Sequence, residues 1–88
     1  MEHYLKCGYK PGLFPSEYVI NFRVSNPDAE ESLFVNKADV KPINQEKGLV
    51  KLRGCSEPED GKVLVEINDV GDCRLSSYAV YLDDIVSK

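Results

Sequence analysis

A chain of 88 residues, 42% hydrophobic and 30% charged, is long enough for one small packed domain spanning 1–88 and too apolar to stay disordered. Its net charge of −4 disfavours nucleic acid and anionic membrane surfaces, both of which are bound chiefly through Lys and Arg. No apolar run approaches the ~18 residues of a membrane span.

The opening Tyr4-Leu-Lys-Cys7 reads as a short strand, followed by a loop from Gly8 to Ser16. Tyr18-Val-Ile-Asn-Phe-Arg-Val24 alternates cleanly, with Tyr18, Ile20, Phe22 and Val24 on one face and Val19, Asn21 and Arg23 on the other. Ser25-Asn-Pro-Asp28 breaks it with turn chemistry. Ser32–Asn36 is the next strand. Lys37–Pro42 is either one helical turn or more extended chain, since Pro42 disfavours helix at Lys41.

Gly48–Arg53 follows, with Val50 and Leu52 on one face and Lys51 and Arg53 on the other. Glu57-Pro-Glu-Asp-Gly61 is a turn whose Asp-Gly suits positive φ. Lys62–Ile67 points Val63, Val65 and Ile67 inward. Asn68–Asp72 is a loop, Ser77–Leu82 the last strand, and Asp83–Val86 a closing helical turn. Nowhere does an apolar helical period run for three turns.

Short strands about ten residues apart predict an all-β domain of five to six mostly antiparallel strands. With no helix to cover the sheet, closing on itself buries the apolar face and removes exposed edges. The ending Tyr78–Val86, a last strand and one helical turn, resembles the close of SH3-like barrels. That resemblance implies a small SH3-like barrel; a β-sandwich or an OB-like barrel are the alternatives. No functional residue is carried over from it, because fold does not imply function.

Three cysteines, Cys7, Cys55 and Cys73, cannot all pair, and the first residues show neither the basic opening nor the apolar stretch of a signal peptide. Both features point to free thiols in a reducing, cytoplasmic setting. Cys7 and Cys55 read as small core or half-buried residues. Cys73 precedes Arg74, whose charge favours a thiolate, so a redox-sensitive thiol is a third functional expectation.

Catalytic and metal patterns are missing. The single histidine, His3, lies at the terminus. Asp83-Asp84 reads as a cap for the closing turn, and Asp69-Val-Gly-Asp72 as a turn that lacks the ligand spacing of a calcium loop. No phosphate-cradling glycine motif occurs. A non-enzyme without cofactor or metal is expected.

Two surfaces stand out instead. Tyr9, Lys10, Phe14 and Tyr18 crowd, with Pro11 and Pro15, into the Gly8–Tyr18 segment, which is expected to be a stiff loop gripping a protein partner. SH3-type recognition of proline-rich peptides normally uses a tryptophan, and the chain has none. Separately, from Lys37 to Arg53 five basic residues face two acids, whereas from Glu57 to Asp84 eight acids face Lys62 and Arg74. Lys37, Lys41, Lys51 and Arg53 therefore form the alternative, a nucleic-acid surface. The expected function is a non-catalytic adaptor for a protein partner.

Overall fold

β-branched and aromatic residues at alternate positions make extended chain that hides one face, and the burial follows that period. The computed structural model describes residues 1–25 and 27–88. These form nine strands: β1 (His3–Pro11), β2 (Glu17–Ser25), β3 (Asp28–Asn36), β4 (Val40–Pro42), β5 (Lys47–Lys51), β6 (Gly54–Cys55), β7 (Lys62–Asp69), β8 (Arg74–Tyr81) and β9 (Ile85–Ser87). In β2, Ile20, Phe22 and Val24 are buried and Asn21 and Arg23 exposed; in β7, Val63, Val65 and Ile67 are buried. Ser25 faces Asp28 across the expected hairpin turn, of which Asn26 lies outside the described residues.

The protein is all-β, built from two antiparallel sheets. One has the order β3-β2-β1-β5-β4, with β9 also paired to β1; the other is β6-β7-β8. Leu5, Ile20, Val35, Val50, Val63, Val65, Ile67 and Val80 are all sealed from solvent in one cluster that both sheets share. The radius of gyration, 12.0 Å, is that of a packed globule of this length, about 12 Å. Among the described residues no helix is long and apolar enough to cross a membrane.

The expected closed barrel is not formed. Two corners carry the chain between sheets. At the first, β5 leaves β1; the Leu52 N–H donates to the His3 carbonyl at 3.0 Å, and the Arg53 N–H to the Glu66 carbonyl at 2.8 Å. At the second, β8 passes through the 3₁₀ turn Leu82–Asp84 into β9, which returns to β1. On the far side, β3 meets the second sheet through the Val70 N–H, which donates to the Phe34 carbonyl at 3.0 Å. The ladder therefore stays open between β3 and β8.

These corners also explain why nine strands stand where five or six were expected. Gly48–Arg53 is broken where it changes sheets. Lys37–Pro42 is both of the forms anticipated for it, a 3₁₀ turn Lys37–Asp39 and then β4. The Gly8–Ser16 loop is a further correction: Gly8–Pro11 belong to β1, and only 12–16 form the turn. At Gly8 the Asn21 side chain lies over β1, its Oδ1 2.5 Å from where a Cβ would stand. Pro11 needs no ladder donor at the strand's end. His3 likewise lies in β1, its Nδ1 2.8 Å from Ser87 Oγ. The Asp-Gly turn holds, with Asp60 and Gly61 at φ 54° and 74°.

Candidate binding surface

Register decides which side chains share a face. Leu5, Val50 and Val40 lie in one cross-strand row and point inward, so the next row, Lys41, Leu49 and Lys6, points outward. Two residues either way along β5 and β1 stand Lys47, Lys51, Tyr4 and Gly8, and Lys10 follows two beyond Gly8, opposite Val19 of β2. Five of the chain's 11 basic residues, Lys6, Lys10, Lys41, Lys47 and Lys51, thus occupy the outer face of β4-β5-β1.

Two apolar residues are buried on that outer face, Tyr4 and Leu49, each 3% exposed. Lys41 covers the first of them: its Nζ lies 4.7 Å from the centre of the Tyr4 ring. The neighbouring Tyr4 hydroxyl raises the Lys41 pKa. It also donates to the Glu2 carboxylate, holding it below its usual range, and Lys51, 3.6 Å from Glu2, adds to that effect. Among the described residues Lys6, Lys10 and Lys47 make no ion pair within 4.0 Å. A groove of about 420 Å³ runs over Gly8 between Lys6, Lys47, Ile43, Asn21 and Arg23, with Glu30 and Asp84 on its far wall.

The Gly8–Tyr18 segment divides in two. The Tyr9 and Tyr18 rings meet at a tilt, 4.9 Å between centres, against the core edge, and the Tyr9 hydroxyl donates to the Asn44 carbonyl. Phe14 and Leu13 project from the hairpin tip, 61% and 78% exposed. The Tyr9 N–H donates to the Glu46 carbonyl at 3.1 Å, so the 43–46 turn and its exposed Ile43 sit at the same end of the sheet as that tip.

The Lys37–Arg53 segment divides too. Lys41 and Lys51 share the outer face. Lys37 instead lies 5.1 Å over the Tyr18 ring, and Arg53 has turned the corner to hold Asp39 at 2.9 and 3.1 Å. Lys6 was missing from the residues singled out in the sequence, where Lys47 counted only as one of the five basic residues between Lys37 and Arg53. Part of the signal was there: Lys6 and Lys10 alternate with Leu5, Cys7 and Tyr9 along β1, whereas Tyr4 shares the parity of those lysines and Leu49 that of Lys47 and Lys51, so alternation alone does not mark the face.

Elsewhere, burial pushes the Cys7 thiol up to about 12. Cys55 is exposed rather than half-buried, because β6 is an edge strand of two residues. Cys73 is exposed at φ 54°, while its neighbour Arg74 lies 3.6 Å from Asp72. Asp84 accepts from Arg23 Nε at 3.3 Å rather than capping its turn. The buried Asp69 carboxylate closes the β7–β8 turn, accepting from the Gly71 and Asp72 N–H groups and the Ser76 hydroxyl. Among the described residues no three His, Cys, Asp or Glu side chains gather as a metal-holding group.

Compared with protein-family models, with curated proteins and with solved structures, the chain matches none.

Proposed function

We propose that this protein is a non-catalytic binding module that engages an acidic segment of a partner protein. The observation that carries this is the gathering of five lysines on one sheet face of a chain whose net charge is −4. Such a face steers an acidic partner by long-range attraction, and the apolar tip Leu13–Phe14 beside it supplies an anchor that charge alone lacks. A protein is favoured over nucleic acid because, among the described residues, no exposed aromatic stands on the lysine face to stack a base; Tyr4 is buried there. The architecture is read as an opened SH3-like barrel, which β9 returning to β1 after a 3₁₀ turn supports. A cytoplasmic setting fits the three free cysteines.

The test is a fluorescence-anisotropy titration at about 50 mM salt with a dye-labelled acidic peptide containing leucine and phenylalanine. Single-stranded DNA of the same net charge is run in parallel. Lys6→Glu with Lys47→Glu, which break no ion pair, should weaken the peptide about tenfold or more, and Phe14→Ala with Leu13→Ser by a similar factor. No peptide binding, or binding indifferent to both pairs of substitutions, refutes the proposal. DNA bound more tightly than peptide, with a steep salt dependence, replaces it with the nucleic-acid reading.

A further inference from the structure

The two halves of the chain repeat one another at a spacing of 45 positions. The 3₁₀ turns Lys37–Asp39 and Leu82–Asp84 stand that far apart, and so do the strands after them, Val40–Pro42 and Ile85–Ser87. Pairing registers repeat as well. In the β2–β3 hairpin Glu17 faces Asn36 and Ile20 faces Leu33; 45 positions on, Lys62 faces Tyr81 and Val65 faces Tyr78 across β7–β8.

Between the halves the relation is reciprocal. β4 sets Val40 opposite Val50 and Pro42 opposite Gly48, while β9 sets Ile85 opposite Leu5 and Ser87 opposite His3. Each half therefore lends its last strand to the first strand of the other. The β1–β5 pair Leu5–Val50 maps onto itself, so a local two-fold axis passes between those residues. Burial obeys the same symmetry: Leu5 and Val50, Ile20 and Val65, and Val35 and Val80 are all sealed. One register departs from it. Gly8 faces Asn21, but Glu66 faces Gly54 rather than Arg53, a one-residue slip at the corner where the chain changes sheets. In the sequence only Lys6/Lys51, Ser32/Ser77, Val35/Val80 and Asp39/Asp84 are identical at this spacing, too few to reveal a repeat.

We infer that the domain is two copies of one three-strand, 3₁₀-turn, strand unit, β5 and β6 together standing in the second copy for β1 in the first, and that two molecules of this chain can assemble by exchanging halves. The contacts between halves are the same whether the halves belong to one chain or to two; only the 43–46 turn distinguishes the cases. That tether keeps the partner half at an effective concentration of about 1 mM, so the monomer prevails in dilute solution. Removing the turn reverses the balance. Without 43–46, Lys47 alone would separate Pro42 from its partner Gly48, and a hairpin needs at least about two loop residues. β4 and β5 then run on as one strand, and β4 pairs with β5 of a second chain.

The experiment uses the full chain lacking Ile43–Glu46, with Cys55→Ser and Cys73→Ser. Light scattering should give twice the chain mass, with a far-UV spectrum matching the parent. His3→Cys and Ser87→Cys are then made in separate chains, since these residues face each other in register across the two halves. The two variants are refolded together, diluted and treated with oxidised glutathione. A disulfide between the two introduced thiols should join unlike chains, and neither variant alone should cross-link. A folded monomer, a chain that stays unfolded even when concentrated, or a dimer whose unlike chains fail to cross-link overturns the inference.

Discussion

Val65 and Leu64 are chain neighbours on β7 with opposite surroundings: Val65 is sealed and Leu64 is 55% exposed. Leucine is the larger and more hydrophobic, so composition alone predicts that truncating it costs more. The sheet geometry predicts the reverse. Val65→Ala removes two buried methyl groups, about 1.6 kcal/mol at ~0.8 kcal/mol each, and leaves a cavity worth roughly another 1 kcal/mol. Leu64→Ala, opposite Ala79 on the outer face, costs no more than about 0.5 kcal/mol. For a domain this small each kcal/mol moves Tm by about 4–8 °C, so Val65→Ala should lower it by roughly 10–20 °C and Leu64→Ala by less than about 4 °C. Urea unfolding followed by circular dichroism and tyrosine fluorescence measures both, at constant m. Equal losses, or a larger one for Leu64→Ala, would show that the inner face of β6-β7-β8 has been misassigned and the shared core with it.

Two further predictions concern titrating groups. With the Cys7 thiol up to about 12, only about one molecule in 10⁴ carries a thiolate there at pH 8, so iodoacetamide should label exposed Cys55 and Cys73 and reach Cys7 only in denaturant. Because folding raises this pKa, the stability tied to it is whole below about pH 8.5 and declines as pH climbs toward 12; urea midpoints at pH 7, 9 and 10 should fall less in Cys7→Val than in the parent. Glu2 works in the opposite direction: its pKa is lowered by the Tyr4 hydroxyl and then by Lys51, so its contribution is present above about pH 4.5 and lost as pH falls through the lower, folded value. Glu2→Gln should flatten the acid limb of the stability curve, and an unchanged limb between pH 5 and 3 counts against the Tyr4–Glu2 bond.

How much of this was legible in the sequence depended on the range of the interaction involved. β2 and β7 were readable because alternation is local: Ile20, Phe22, Val65 and Ile67 announce their face within one strand. The corner after Lys51 was not. Leu49, Val50 and Leu52 look like one uninterrupted strand, and what breaks it is the capture of the Leu52 and Arg53 N–H groups by His3 and Glu66, neither of which is a sequence neighbour. The same limit separated Lys51 from Arg53, which share parity but not a surface, and hid Lys6 beside Lys41, which meet only through the register of β1, β5 and β4. Tyr9 and Phe14 looked equivalent in a crowded aromatic segment. Only the extension of β1 through Pro11 sends one into the core edge and the other into solvent.

The lysine face itself separates a structural role from a binding one. Lys41 and Lys51 are committed: one ammonium covers Tyr4, and the other lies against Glu2. Lys6, Lys10 and Lys47 carry no such commitment, and like charges gathered on one face repel each other at a cost to folding. Acids elsewhere do neutralise basic groups, Asp39 at Arg53 and Asp84 at Arg23, so the chain places counter-charges where the fold alone needs them. Charge left unpaired on that sheet face, beside an apolar tip the core does not use, costs stability without improving packing. It is the pattern expected where a second molecule supplies the missing acids.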